Sequence, residues 1–298
     1  TTFGKSNKVE KIDEFIGQFV KNNQFSGVVL ASENGEIVYE KAFGLANADY
    51  KIPNQLNTRI GIASITKYFT KIILIRLVES GKISLSDKLS KYIPDFPDGD
   101  KITIEMVARH RSGIQHRVMP PESESLPYTS AEFIEKVKLA KLAFEPGTQH
   151  LYSSGGYAVL ARSLEIASGK SYADLLQEYV FNPAEMTDSL DFNGEAIMER
   201  RAQDYFLTPN GYVNAALKDY SFLVGAGSVF STAKDVYKFG NAVLDGKFGE
   251  GAKLSLISEN NLNGSGATNG HRAYFEIAKD KKYGYVVLCN VASGWQRS

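Results

Sequence analysis

Apolar residues at Val9, Ile12, Phe15, Ile16 and Phe19 recur at helical spacing, and Asn7-Lys8-Val9-Glu10 in front of them reads as a capping box. An opening amphipathic helix follows from that pattern. The chain then changes character. Gly27 to Ser32 and Ile37 to Phe43 are β-rich runs on either side of the turn pair Asn34-Gly35, which predicts a hairpin. Arg59 to Ala63 reads as a further short strand, ending where a long helix begins.

From Ser64 to about Asn182 nearly all signals are helical. Ser64 to Ser80 forms one apolar-rich run stopped by Gly81, and Thr103 to His110 a second. Thr129-Ser130-Ala131-Glu132 caps a third, and Gly156 to Ser168 and Tyr172 to Val180 supply two more. Thr232-Ala233-Lys234-Asp235 opens another helix reaching about Leu244. Strand patterns return at Arg272 to Ala278 and Tyr283 to Asn290. With no internal repeat or low-complexity linker between these parts, the economical architecture is α/β (α+β). It is an antiparallel sheet built from both chain ends, flanked by helices, with a helical region inserted between.

Composition narrows the functions. The 298 residues are 43% hydrophobic and 23% charged, enough for one large core or two coupled ones. Lysine plus arginine equal aspartate plus glutamate at 34 each, so no global field draws nucleic acid or an anionic membrane. The single cysteine, Cys289, excludes an internal disulfide and a thiolate metal cluster, and its apolar run Tyr285 to Cys289 reads as a buried strand. The longest apolar stretch, Ile72 to Val78, is interrupted by Arg76 and too short to span a bilayer, so no integral membrane segment is expected. The chain opens Thr1-Thr2 without an initiator methionine or a signal-like apolar segment. That fits an exported product, periplasmic or secreted, after signal removal.

No G-x-S-x-G elbow, P-loop, G-x-G-x-x-G or H-E-x-x-H occurs. The four histidines, His110, His116, His150 and His271, lack metal-ligand spacing and read as surface or structural residues. Ser64-Ile65-Thr66-Lys67 is different. The i, i+3 spacing puts serine and lysine on one helical face, about 5–6 Å apart at Cβ. Free N–H groups at a helix start favour developing negative charge there, and a serine nucleophile needs a nearby base. Two fixed residues match by chance about once in a chain this long, and Ser231 to Lys234 is a second match, explained fully by helix capping. From the pattern alone Ser64 reads equally as a nucleophile or as a helix start. In Tyr152-Ser153-Ser154, Tyr152 and Ser154 share a side if the segment is extended, and Gly155-Gly156 permits close backbone approach, although standing alone the segment reads as a loop before a helix with Tyr152 packing as an ordinary aromatic. Gly264-Ser265-Gly266-Ala267 are small residues leading into a strand; by themselves they read as an ordinary glycine loop, and otherwise they let a substrate backbone lie against the edge.

Taken in order, these segments resemble the serine β-lactamase and penicillin-binding superfamily, in its branch of class C β-lactamases, D,D-carboxypeptidases and family VIII esterases. The resemblance runs from about residue 10 to 293. It is carried by Gly61 to Lys67, Gly81 to Asp87, Tyr92 to Pro97, Ile102 to Ile104, His110 to Ile114 and Glu145 to Gly147. Pro183 to Asp188, Gly225 to Gly227 and Ser231 to Asp235 complete it. It implies an α/β sandwich domain (1–63 and 225–298) and a mainly helical domain (64–224), with the active site between them. It implies Ser64 as the acylated nucleophile, Lys67 and Tyr152 as its catalytic partners, and the backbone N–H groups of Ser64 and Ala267 as an oxyanion hole. Ser154, Gly264, Ser265 and Gly266 become substrate-binding positions, and no metal or organic cofactor is implied.

Two departures bear on specificity. Ser154 stands where the family has asparagine, and Gly264 where a lysine or histidine begins the third motif. Without that cation, small neutral esters are expected to be better substrates than penicillins or carboxylate-bearing peptides. Arg111, His150, His271 and Arg272 are the residues that could restore a positive charge. Three functions compete: a hydrolase of an ester or D-amino-acid amide, a true β-lactamase, and a non-catalytic binding or scaffold protein on the same fold. The expected partner is a small-molecule or peptide substrate.

Overall fold

The computed structural model describes residues 2–192 and 194–293, with side chains from residue 8 onward. Its centre is a five-stranded antiparallel sheet drawn from both chain ends: β1 (Gly27–Glu33), β2 (Glu36–Phe43), β3 (Asn261–Ala267), β4 (Arg272–Ala278) and β5 (Tyr283–Cys289). The strand order is β3-β4-β5-β1-β2. Asn34 and Gly35 adopt φ of +53° and +82°, as a tight hairpin turn requires. Gly27 opposes Cys289 across β1 and β5, and Ala267 opposes Arg272 across β3 and β4.

Alternation along the strands produces two apolar faces. On one, Val28, Leu30, Phe275, Val286 and Leu288 are fully buried. They join the helices α2 (Thr66–Glu79) and α7 (Ala233–Leu244) through residues such as Phe69 and Phe239, whose rings meet edge to face at 4.6 Å. Truncating either aromatic would cost about 3–5 kcal/mol. On the other face, Val29, Tyr39 and Cys289 pack under α1 (Thr2–Lys21) through Val9, Ile12, Ile16 and Val20. Phe15 and Phe19, counted into the apolar stripe from spacing, instead point outward and pack on each other at 5.3 Å. α1 also begins at Thr2, so Asn7 lies inside the helix rather than capping it, and its side chain is outside those described.

Between β2 and β3 the chain is mostly helical: α3 (Ile104–Ala108), α4 (Ser130–Lys138), α5 (Ser154–Ser168) and α6 (Tyr172–Leu176) follow α2. Thr103, Thr129, Ser153 and Ser171 each accept a backbone N–H at a helix start, and Thr129 with Glu132 forms the expected capping box. α5 is buried along most of its length, from Gly155 to Leu164. The short helix α8 (Glu250–Leu256) fills the connection into β3. Tyr205–Thr208 and Gly211–Asn214 form an additional hairpin, turned at Pro209-Asn210 between the paired Thr208 and Gly211.

Candidate functional site

The strand expected at Arg59 to Ala63 is only two residues long, Ile60–Gly61, paired with Val229–Ser231. It ends early because Ala63 takes a φ of +47°, a left-handed conformation that costs an alanine of order 1–3 kcal/mol. That bend turns the chain into a single 3-10 turn, Ala63–Ile65, which runs into α2. Ser64 therefore sits at the mouth of a helix whose next turns are buried.

Lys67, one turn on, is 4% exposed. Its Nζ lies 3.3 Å from Ser64 Oγ and 3.2 Å from Ser154 Oγ, and donates to the Ala226 carbonyl at 2.7 Å. Burial disfavours its cationic form and lowers its pKa to about 7. The second serine–lysine match is not brought together in this way. Ser231 is buried and bonds Ser189 Oγ at 2.7 Å, while Lys234 is exposed.

Ser153 is extended (φ −137°, ψ 117°), so Tyr152 and Ser154 face the same side. The Tyr152 ring centroid lies 4.9 Å from Lys67 Nζ. Its hydroxyl pKa is raised by burial, an effect tempered by the Ser64 hydroxyl. Lysine and tyrosine thus shift in opposite directions. Ser154 is short for its position, yet still reaches the amine.

Two histidines hold this segment in place. His110 Nδ1 accepts the Ser153 N–H and His116 Nδ1 accepts the Ser154 N–H, both at 3.1 Å. Their rings flank Tyr152 at 4.7 and 5.5 Å. Burial, followed by the nearby Lys67, lowers the His110 pKa to about 4, so the ring stays neutral and able to accept. The missing metal spacing had set these histidines aside; an acceptor role toward a neighbouring backbone leaves no spacing signature.

β3 closes the other side of the site. A Cβ at Gly266 would lie 2.1 Å from the Ile62 carbonyl and 2.9 Å from Ser64 N, so only glycine lets the strand seat against the start of α2. Ala267 follows it in the register. Ser64, Lys67, Tyr152, Ser154 and Gly264 to Ala267 all line one cleft of about 1240 Å³, together with Tyr68, Lys71, His110, Arg117 and Arg272. Tyr68 and Lys71 escaped the sequence reading, although they lie four and seven residues beyond Ser64 on one helical face. Of the residues considered able to restore a cation, Arg272 lines the cleft. Arg111 bonds the Gly147 carbonyl, His150 meets the His110 ring edge to face at 5.8 Å, and His271 is buried behind Gly61.

A beta-lactamase family profile matches residues 12–296. The chain belongs to the beta-lactamase family. Penicillin-binding protein 4* of Bacillus subtilis (strain 168) is 28% identical over 310 residues, covering 98% of this chain and 68% of that protein. The teichoic acid D-alanine hydrolase of Staphylococcus aureus (strain MRSA252) is 29% identical over 242 residues, 78% of this chain and 57% of the relative. The D-amino acid amidase of Ochrobactrum anthropi SV3, solved with L-phenylalanine amide, superposes with a TM-score of 0.82. It is 21% identical and covers 99% of this chain and 94% of its own, a likeness of fold. The mixed α/β architecture with its antiparallel sheet is thus that of the beta-lactamase family, whose members are serine hydrolases of the beta-lactamase and penicillin-binding type. Among the described residues no helix is long and apolar enough to cross a membrane.

Proposed function

We propose that the chain is a serine hydrolase that forms an acyl-enzyme at Ser64 from an ester or D-amino-acid amide. The observation that carries this reading is the buried Lys67 amine, 3.3 Å from Ser64 Oγ and with a pKa lowered to about 7. At neutral pH a large fraction of such an amine is unprotonated and can take the serine proton.

Lys67 removes the proton as Ser64 Oγ attacks the substrate carbonyl carbon. The oxyanion forms against the backbone N–H groups of Ser64 and Ala267. Tyr152, still protonated, passes a proton to the departing alcohol or amine and recovers one from Lys67 as the tetrahedral adduct collapses. Water then attacks the ester on Ser64, giving up its proton through the same groups. The carboxylic acid leaves and the Ser64 hydroxyl is restored. Ser154, Ser265 and the glycines Gly264 and Gly266 border the substrate. The names of the teichoic acid D-alanine hydrolase and the D-amino acid amidase support an acyl group bearing a D-amino acid. A division into a sandwich part (1–63 with 225–298) and a helical part (64–224), and export after signal removal, belong to the same proposal.

Intact-protein mass spectrometry after exposure to a fluorophosphonate, a penicillin and p-nitrophenyl butyrate tests it. An adduct on Ser64, absent from Ser64→Ala, and turnover of the ester are expected. A long-lived penicillin adduct separates penicillin binding from β-lactamase turnover. Labelling at Ser154 or Ser231 would overturn the assignment to Ser64, and no adduct with any probe would sink the acyl-enzyme reading and favour a binding protein.

A further inference from the structure

Behind the oxyanion-hole strand lies a buried polar cluster with no part in the chemistry described above. His271 is completely buried, and its Nε2 lies 2.8 Å from Asp204 Oδ1, close enough for an ion pair but without hydrogen-bond alignment, so both ring nitrogens lack a hydrogen-bond partner among the described residues. The other Asp204 oxygen accepts the Tyr220 hydroxyl, which also lies 3.5 Å from Thr268 Oγ1. Such a group of titratable side chains costs several kcal/mol to desolvate, and apolar residues of similar shape would serve packing as well or better.

Its location is informative. Ala267 ends β3, and Thr268 to His271 make the turn into β4, closed by the Thr268 N–H to His271 O bond at 3.1 Å. The Nδ1 side of the imidazole presses on Gly61, where a Cβ would lie 2.4 Å from Nδ1. Gly61 is three residues before Ser64. Gly270, in the same turn, sits directly on Asp204, since a Cβ there would lie 2.6 Å from Asp204 Cβ. One imidazole therefore touches the strand leading to the Ser64 N–H and belongs to the turn that carries the Ala267 N–H.

We propose that His271, anchored by Asp204 and Tyr220, is a positioning residue that sets the spacing between the two oxyanion-hole donors. The inference rests on the acyl-enzyme reading above. The oxyanion appears only as the tetrahedral species forms, so a misplaced donor weakens that species and leaves substrate binding nearly unchanged. A residue that merely holds the fold would lower stability or alter binding and rate together.

The experiment compares the unmodified protein with His271→Phe, His271→Gln and Tyr220→Phe. It measures kcat and KM on p-nitrophenyl butyrate, the affinity of an arylboronic acid that forms a tetrahedral adduct on Ser64, and Tm. His271→Phe is expected to lower kcat roughly 10- to 100-fold, less than outright loss of a donor. KM should hold, and boronate affinity should fall by the same factor as kcat. His271→Gln, which keeps an N–H donor toward Asp204, should recover much of the loss. Tyr220→Phe, which keeps the ring and loses only the hydroxyl, should show a smaller loss of the same kind and serves if the His271 variants do not fold. Undiminished kcat in His271→Phe, or a rise in KM with kcat and boronate affinity unchanged, overturns the inference alone. Failure of the fluorophosphonate to label Ser64 in the unmodified protein overturns the underlying reading and this inference with it.

Discussion

The ring of Tyr68 occupies the space in front of Gly264. A Cβ at position 264 would lie 3.2 Å from Tyr68 Cε2 and 2.7 Å from Phe275 Cε1, while the Tyr68 hydroxyl donates to the Asn263 carbonyl at 2.7 Å. Gly264 thus does more than lack a cation. It is the position that lets α2 dock against β3 through Tyr68.

Gly264→Lys is accordingly expected to damage the site rather than redirect it toward anionic substrates. Overpacking of this kind costs typically about 1–3 kcal/mol, and loss of both kcat/KM and Tm should follow. Gly264→Ala, which adds only the Cβ 2.7 Å from Phe275 Cε1, should show a smaller loss of Tm of the same kind. A single Gly264→Lys variant with unchanged Tm and improved turnover of carboxylate-bearing esters would contradict the packing argument.

The Lys67 pKa of about 7 predicts the pH profile of acylation. The active form is the neutral amine, so the rate should climb as pH rises, with a midpoint near neutrality, and flatten above it. Tyr152→Phe removes the proton relay but not the buried amine. It should lower the plateau severely while shifting the midpoint little. Lys67→Ala and Tyr152→Phe together should cost far less than the product of the two losses. Stopped-flow acylation across pH checks all three; a limb centred near pH 10 would show that burial does not set the base.

Much of this was legible in the chain and part was not, for physical reasons. Four of the five sheet strands and the caps at Thr129 and Thr232 depend on local pattern and turn chemistry, and they appear where the pattern puts them, whereas β3, rich in glycine and asparagine, reads as a loop until its partner β4 supplies the pairing. The serine–lysine pair follows from helical spacing, and Gly266 from its place in the third segment. Tyr68 and Lys71 were hidden because an apolar-rich helix reads as core whichever side meets the cleft. His110, His116 and His271 were hidden because each works through one backbone or one carboxylate contributed from far along the chain. His271 and Asp204 are 67 residues apart in sequence and 2.8 Å apart in space. Phe15 and Phe19 show the converse, since helical spacing cannot tell a buried edge from an exposed one.

Burying Lys67 has a cost to the fold. Its pKa is lowered, so the folded state binds fewer protons than the unfolded chain between about pH 7 and the ordinary lysine value of ~10.4. The destabilisation is therefore full below pH 7 and fades as pH rises toward ~10.4. Lys67→Met should be inactive but more stable, roughly 1–3 kcal/mol at pH 6, or about 2–4 °C in Tm for each kcal/mol. The gain should shrink at pH 9 to 10. Scanning calorimetry at the two pH values checks this, and a variant less stable than the parent at pH 6 would count against a strained buried amine.

Lys71 bears on the kind of substrate the cleft takes. It is half-buried in the cleft, one turn beyond Lys67, with its ammonium 5.9 Å from the Tyr68 ring centroid. Burial, and then the neighbouring Arg109, lower its pKa. Among the described residues none of the ion pairs involves Lys71, and the one carboxylate lining the cleft, Glu124, is taken by Lys218 at 2.6 Å. Arg117 and Arg272 add positive charge to the same walls. A cation held partly out of water without an anionic partner is stabilised by a ligand that brings one. The absence of a lysine at Gly264, which alone predicts a preference for neutral esters, is therefore offset from the helix side of the cleft. Between two p-nitrophenyl esters that differ only in a carboxylate on the acyl chain, the unmodified protein should favour the anionic one. Lys71→Met should raise KM for that ester roughly 10- to 100-fold, as loss of a charge-assisted hydrogen bond of about 1.5–3 kcal/mol implies, and leave the neutral ester nearly unchanged. Lys71→Arg should keep the preference, and added salt should weaken it. Equal effects of Lys71→Met on both esters, or an initial preference for the neutral one, would return specificity to Gly264.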